Sequence, residues 1–149
     1  MNQNTLPLIR FDNVTKIYPG GMAALERVNV TIMPGEFISL VGPSGAGKST
    51  FMKLIYAEEQ PTEGTVYFKD RAIKDIASHL LPFYRRNIGT VFQDFKLLPQ
   101  KTVFENIAYA LEVDGLPAKQ IRDEVHEIVD IVGLSQKADK FPRELSGGE

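Results

Sequence analysis

The eight residues GPSGAGKS, at positions 42–49, constrain the fold of this chain more than any other feature of its sequence. They match the phosphate-binding pattern G-x-x-x-x-G-K-[ST]. The run before them, FISLVG at 37–42, is nearly all apolar and has the length of a buried strand. The run after them, KSTFMKLIYA at 48–57, suits a helix. A strand, a glycine-rich loop and a helix in this order predict a loop that wraps a phosphate chain.

Each residue type in the loop has a chemical reason. The glycines let the backbone wrap a phosphate chain and aim its N–H groups inward, and the helix N-terminus adds a positive partial charge. Lys48 supplies a point charge for the β- and γ-phosphates, and Ser49 offers a hydroxyl to Mg²⁺. A plain glycine-rich turn is the alternative, which the flanking strand and helix disfavour. The predicted nucleotide-binding set is Gly42, Pro43, Ser44, Gly45, Ala46, Gly47, Lys48, Ser49 and Thr50.

Composition limits the remaining function classes. The chain has 149 residues, of which 43% are hydrophobic, so it is able to bury a core as one domain or as most of a larger one. Seventeen basic and 19 acidic residues give a formal charge of −2, which is no footprint of a nucleic-acid binder. The absence of cysteine excludes disulfides, thiolate metal sites and cysteine nucleophiles. The N-terminus lacks a signal-peptide pattern, and no run approaches the ~18 apolar residues of a membrane span. We therefore expect an intracellular soluble chain.

Local patterns predict strands in the first part of the chain and helices in the second. The strand-like runs are LIRFDNV (8–14), RVNVTIM (27–33), FISLVG (37–42), GTVYF (64–68) and NIGTVF (87–92). Thr102 and Glu105 form a capping box ahead of one amphipathic helix, and Pro117 and Gly133 mark the start and the end of a second. These patterns predict a β-rich portion at 1–94, which contains the phosphate loop, and a helical subdomain at 95–149.

Two further motifs carry a resemblance to a known family. VFQDF (91–95) follows a strand-like run, and LSGGE (145–149) follows the two helices. The order of phosphate loop, glutamine, helical insert and LSGG is that of an ABC-type ATPase, which this chain resembles along its whole length. The resemblance implies an α/β fold: a P-loop NTPase core with an N-terminal antiparallel β part and an α-helical subdomain, incomplete at the C-terminus.

The segments IYPGG, PFYRRNIGTVFQDFKLL and FPRELSGGE resemble the cell-division (FtsE) subfamily of these ATPases. That resemblance implies an ATP-binding subunit, peripheral on the inner face of the plasma membrane, that couples ATP binding and hydrolysis to an integral membrane partner (FtsX-like) and forms a homodimer. The alternative within the family is the ATPase subunit of a lipoprotein-releasing or macrolide-type exporter.

The resemblance also assigns site residues. Tyr18 would stack on the adenine ring; the alternative is a turn tyrosine packed on the sheet. Gln93 would reach Mg²⁺ and the attacking water, near the contact to the membrane partner. Ser146, Gly147 and Gly148 would reach the γ-phosphate held by a second, head-to-tail copy. Lys48 and Gln93 are the implied catalytic residues.

Arg85 and Arg86 are either phosphate contacts or a solvated or ion-paired surface, and we favour the surface. In the family, LSGGE begins a helix, and the next elements are a buried strand ending in the Mg²⁺-binding Asp, a catalytic Glu and a switch His. None of these lies within residues 1–149. We expect the isolated chain to bind ATP with little or no hydrolysis and to expose apolar surface. A non-catalytic nucleotide-binding scaffold is the alternative.

Overall fold

The computed structural model describes residues 6–149 of this chain. The chain divides into two compact units, Met1–Thr90 and Val91–Glu149. The first unit contains an antiparallel sheet and two helices, and the second is helical. Short 3₁₀ turns connect these elements at Ile73–Asp75, Ser78–Leu80, Ser135–Lys137 and Pro142–Glu144.

The sheet of the first unit has four antiparallel strands. They are β1 (Ile9–Ile17), β2 (Ala23–Ile32), β3 (Glu63–Phe68) and β4 (Arg71–Ala72), in the order β2-β1-β3-β4. Strands β1, β2 and β3 confirm sequence predictions. Their alternating β-branched and aromatic residues suit a sheet with one covered face. The short β4 had no such signal.

One helix covers the centre of this sheet. Helix α1 (Lys48–Ile55) confirms the predicted helix after the loop. Phe51 of α1 stacks on Phe11 of the central strand, with ring centroids 4.2 Å apart and planes 6° apart. Phe11 faces Val30 on one neighbouring strand and Val66 on the other, and it is only 2% exposed. Burial of this aromatic pair fixes α1, and with it the loop that precedes α1, on the sheet.

A second, short helix packs beside the first. Helix α2 (Leu81–Arg85) begins with a proline in its first turn and places Tyr84 in the core, where it is 6% exposed. The Tyr84 ring meets Phe68 edge-on at 5.4 Å, and its hydroxyl donates to the carbonyl of Ile55. Burial raises the pKa of Tyr84 to about 12.

The second unit pairs two amphipathic helices, α3 (Val103–Val113) and α4 (Ala118–Ile131). The predicted capping box is confirmed. The hydroxyl of Thr102 accepts from the Glu105 N–H at 3.2 Å, and the Glu105 carboxylate accepts from the Thr102 N–H at 2.8 Å. These bonds, chiefly the one from the Thr102 backbone, lower the pKa of Glu105.

The ends and the core of this helical pair follow the sequence pattern closely. Pro117, the predicted first helical residue, is the N-cap of α4, so the helix begins one residue later than predicted, at Ala118; Gly133 follows the end of the helix with a φ of 73°. The buried core of this unit is Val103, Ala108, Ile121, Val125 and Val129.

No helix among residues 6–149 is long and apolar enough to cross a membrane.

Two strand predictions are wrong. Within residues 6–149, neither 37–42 nor 87–92 pairs with a strand, and both runs lack regular structure over most of their length. Apolar composition predicts a strand only where a neighbour supplies backbone hydrogen bonds, and these runs have no such neighbour in the described sheet. Phe37 is 94% exposed, Val41 83% and Val91 96%, which confirms the expected exposed apolar surface.

Candidate phosphate-binding site

The loop at 42–47 leads directly into α1. Gly45 and Gly47 have φ values of 81° and 83°, a left-handed conformation that only glycine adopts without strain. Gly47 is the N-cap of α1, so the loop ends where the free N–H groups of the helix begin. Pro43 and Ala46 close a turn inside the loop, with the Ala46 N–H donating to the Pro43 carbonyl at 3.2 Å. The loop and Ser44 within it are largely exposed to solvent.

The sheet holds the end of this loop in place. A Cβ atom added to Gly47 would lie 2.2 Å from the carbonyl oxygen of Ala24 and 2.9 Å from Leu25 Cδ2, both on β2. A glycine is therefore required here for the close approach as well as for the φ angle. An equivalent Cβ at Gly45 would meet no atom within 4 Å. The position of the loop is thus set at its α1 end.

Lys48 folds back over the loop. Its ammonium group donates to the carbonyls of Gly42 at 2.9 Å and Pro43 at 2.7 Å. This places a positive charge at the concave backbone of the loop, beside the N-terminus of α1. The side-chain cation and the helix dipole therefore favour an anion at the same point.

Tyr18 lies beside the first turn of α1. Its hydroxyl is 3.4 Å from the hydroxyl of Thr50, which is 7% exposed. The predicted turn is confirmed by the Gly21 N–H, which donates to the Tyr18 carbonyl at 3.1 Å. The Lys16 ammonium group lies 5.1 Å from the centre of the Tyr18 ring. The structure therefore brings Tyr18 together with the predicted phosphate loop, although they are about 30 residues apart in sequence.

The remaining predicted site residues lie in the second unit. Gln93 is exposed in a turn closed by the Phe95 N–H, which donates to the Phe92 carbonyl at 3.1 Å. Gln93 does not follow a strand, contrary to the sequence prediction, because the run before it is unpaired. Asp94 and Lys96 form an ion pair at 2.6 Å beside it, and this contact lowers the pKa of Asp94.

The LSGGE segment, residues 145–149, ends in a turn closed by the Glu149 N–H, which donates to the Ser146 carbonyl at 3.1 Å. Ser146 donates through its N–H at 2.9 Å and through its hydroxyl at 3.0 Å to the carboxylate of Glu149. Gly147 and Gly148 lie between them, exposed. Hydrogen bonds from Lys137 and Ser146 lower the pKa of Glu149 to about 2. The Glu149 carboxylate thus accepts from both the N–H and the hydroxyl of Ser146, while the Glu149 N–H donates to the Ser146 carbonyl and not to its hydroxyl, so the expected N-capping contact of the serine side chain is not made.

A magnesium ion fits this site only as a companion of bound phosphates. Residues 6–149 contain no cluster of three or more His, Cys, Asp or Glu side chains suited to holding a metal. Mg²⁺ prefers oxygen ligands and is commonly held by one or two protein groups together with substrate phosphates. The exposed hydroxyl of Ser49, on the first turn of α1, is such a group.

Two side chains contact the other end of α1: Tyr84, which the sequence analysis did not single out, and Arg85, which it assigned to the surface. Tyr84 donates to the Ile55 carbonyl, and Arg85 donates to the carbonyls of Tyr56 and Ala57. Arg85 therefore makes backbone contacts at the end of α1 opposite the loop. A cavity of about 410 Å³ lies beside α2, and it shares no residue with the predicted site. Its lining is Phe68, Lys69, Asp70, Arg71, Ile76, Leu80, Phe83, Tyr84 and Asn87.

Comparisons with known proteins agree with the resemblance of the sequence to ABC-type ATPases. The model of the ABC transporter family matches residues 25–149. The cell division ATP-binding protein FtsE of Bacillus subtilis is 54% identical over 142 residues, covering 95% of this chain and 62% of that protein. FtsE of Mycobacterium tuberculosis is 49% identical over 143 residues, covering 95% and 62% respectively. The chain spans less than two thirds of the length of these relatives.

Solved structures of similar fold are ATP-binding cassettes. The dimeric structure of the cassette MJ0796 in a post-hydrolysis state, bound to ADP and Pi, has a TM-score of 0.84 and 37% sequence identity. This match covers 94% of this chain and 64% of that one. The structure of cbiO1 from Clostridium perfringens, part of the ABC transporter complex cbiONQ, has a TM-score of 0.82 and 27% identity, covering 96% and 57%.

Proposed function

We propose that this chain, which belongs to the ABC transporter family, is the ATP-binding part of an ATPase that acts in bacterial cell division. Its fold is the mixed α/β fold of ABC ATPase cassettes. The observation that carries the proposal is the phosphate loop with Lys48 folded over it and Tyr18 beside its helix. The names of the FtsE relatives support the cell-division role.

ATP would bind with its phosphate chain in the loop at 42–47. The backbone N–H groups and the ammonium group of Lys48 would hold the β- and γ-phosphates, and the Tyr18 ring would stack on the base. Ser49 would hold Mg²⁺ together with the phosphates; when bound, this ion neutralises charge that develops on them. The close approach of Gly47 to Ala24 would keep the loop positioned before ATP arrives.

Hydrolysis in the complete ATPase would be an in-line attack of water on the γ-phosphate. Catalysis of this kind depends on positioning and on charge stabilisation, which Lys48 would supply, and Gln93 would orient the water. Residues 1–149 contain no apolar strand that ends in an acidic pair, the arrangement that the family resemblance requires. We therefore propose that these residues bind ATP and turn it over slowly or not at all.

Assembly completes the proposal. Two copies would pack head to tail, with Ser146, Gly147 and Gly148 of one copy reaching the nucleotide on the other. The MJ0796 cassette was solved as a dimer, which supports this arrangement. An FtsX-like integral membrane protein would be the partner, placing the ATPase at the inner face of the plasma membrane.

Equilibrium binding of Mg-ATP to the purified 149-residue chain tests the proposal. Lys48→Ala removes the charged contact to the phosphates, which is worth about 1.5–3 kcal/mol, so we expect binding about 10-fold to 100-fold weaker. Lys53→Ala is the matched control, because Lys53 lies on the same helix and pairs with Glu58 at 3.0 Å. Its affinity should stay within about twofold of the parent chain.

Two results would contradict the proposal. A folded parent chain that binds no Mg-ATP, or a Lys48→Ala variant that binds as tightly as the parent, would exclude the site. Phosphate release by the same preparation tests the statement on turnover. Release that is abolished by Lys48→Ala would show that residues 1–149 hydrolyse ATP by themselves.

A further inference from the structure

The C-terminal end of α1 is held by side chains from α2. A helix leaves its last carbonyl groups without partners inside the helix. Here the Ile55 carbonyl accepts from the hydroxyl of Tyr84. The next two carbonyls, of Tyr56 and Ala57, accept from the guanidinium of Arg85 at 3.0 and 2.9 Å. Two adjacent residues of α2 therefore satisfy three consecutive carbonyls at this end.

The chemistry of the two side chains suits this position. The fixed fork of a guanidinium donates to two carbonyls at once, and its positive charge complements the negative end of the helix dipole. The Tyr84 hydroxyl is held in position because the ring that carries it is buried against Phe68. The contact is therefore a directed one between two short helices.

Helix α1 is short enough to carry this constraint to the loop. Its eight residues span about 12 Å, so its two ends belong to one rigid segment. At the N-terminal end, Gly47 is pressed against the Ala24 carbonyl, and Lys48 and Ser49 begin the first turn. Between the ends, Phe51 is stacked on the sheet. A change at Ile55–Ala57 that tilts α1 about Phe51 therefore displaces the loop.

We propose that Tyr84 and Arg85 are positioning residues that brace α1 and thereby set the position of the phosphate loop. The consequence for nucleotide binding depends on the proposed ATP site, whereas the consequence for the loop itself does not.

The test uses amide hydrogen exchange and Mg-ATP binding on the 149-residue chain. The variants are Arg85→Ala, Tyr84→Phe and Arg85→Lys. Arg10→Ala is the control, because Arg10 is also in the first unit and contacts Asp12 and the ring of Tyr67, with no contact to α1. All are compared well below their unfolding temperatures.

The exchange readout concerns the amides of Ala46 and Phe51, which donate to the carbonyls of Pro43 and Gly47. In Arg85→Ala and Tyr84→Phe we expect these amides to exchange at least about fivefold faster relative to amides of β1. Arg85→Lys keeps the charge but loses the fork, so we expect an intermediate value. A general loss of stability would speed exchange equally in α1 and β1, and an Arg85 that does not hold α1 would leave both unchanged. Either result overturns the brace.

The binding readout separates this inference from the proposed function. We expect Mg-ATP affinity to fall about threefold to tenfold in Arg85→Ala and to be unchanged in Arg10→Ala. If the parent chain binds no nucleotide, the proposed function fails, and the exchange ratios alone decide the brace. If the parent binds and folded Arg85→Ala binds equally, with unchanged exchange at Ala46 and Phe51, the brace is excluded and the ATP site stands.

Discussion

At the scale of single residues, the phosphate loop shows why equal backbone angles do not give equal roles. Gly45 and Gly47 have nearly the same left-handed φ. Only Gly47 lies against another element, where its missing side chain lets the Ala24 carbonyl approach. The glycines of the loop therefore serve two purposes, which are backbone conformation at Gly45 and close packing in addition at Gly47.

The two glycines give a matched pair of substitutions. Gly45→Ala carries only the left-handed penalty, about 1–2 kcal/mol. Gly47→Ala carries the same penalty and forces a Cβ to within 2.2 Å of a backbone oxygen, so it should cost about 1–3 kcal/mol more. Urea unfolding of the two variants measures the difference. Equal stabilities would mean that the loop and β2 are not in close contact in solution.

At the scale of elements, the N-terminus of α3 depends on a reciprocal pair. Thr102 and Glu105 each satisfy the other's backbone N–H. Both residues lie within one turn, so the sequence pattern was sufficient to predict the contact. The helix end is consequently sensitive to the charge of a single carboxylate.

This sensitivity predicts a pH effect. The pKa of Glu105 is lower in the folded chain than its usual value, chiefly because of the bond from the Thr102 backbone. The contribution of Glu105 is therefore present above about pH 4.5 and is lost as the pH falls through the lowered value. Glu105→Gln should therefore make the free energy of unfolding less dependent on pH in that range than Glu112→Gln, a control on the same helix. Urea unfolding between pH 6 and about pH 3 measures this free energy for both variants.

The same cap gives a simpler expectation for its hydroxyl. Thr102→Ala removes the acceptor of the Glu105 N–H and should lower stability by about 1 kcal/mol. Thr102→Ser retains an acceptor at the same position and should recover most of this loss. Thermal unfolding of the three chains decides the point, and an alanine variant as stable as the parent would show that the hydroxyl is dispensable.

At the scale of the whole molecule, the chain exposes apolar residues that a sequence pattern assigns to buried strands. Phe37 and Val41 lie before the loop, and Val91 opens the second unit. Exposed apolar surface favours association between chains, while residues this exposed contribute little to the stability of the fold.

We therefore expect Phe37→Ser to reduce self-association without lowering stability. Light scattering as a function of concentration should fall relative to the parent chain, and the urea midpoint should stay nearly unchanged. Phe11→Ser is the contrasting control, because Phe11 is 2% exposed and stacked on Phe51, so its loss should unfold the first unit. A large drop in the stability of Phe37→Ser would show that residue 37 is packed in solution.

The sequence by itself determined the features that depend on residues close together in the chain. The phosphate loop, the cap at Thr102 and Glu105, and the glycine that ends α4 each depend on residues a few positions apart, whose conformational preferences act locally. Strand alternation identified β1, β2 and β3 for the same reason, because it reports which face of a strand is covered.

Tertiary structure alone decided which segments meet. Residues 37–42 have the composition of a buried strand, yet pairing is a property of two segments, and the described sheet gives them no partner. Tyr18 reaches Thr50 across 32 positions, and Arg85 reaches Ala57 across 28. No local pattern encodes contacts of that separation, because they form only when packing of the helices on the sheet brings the segments together.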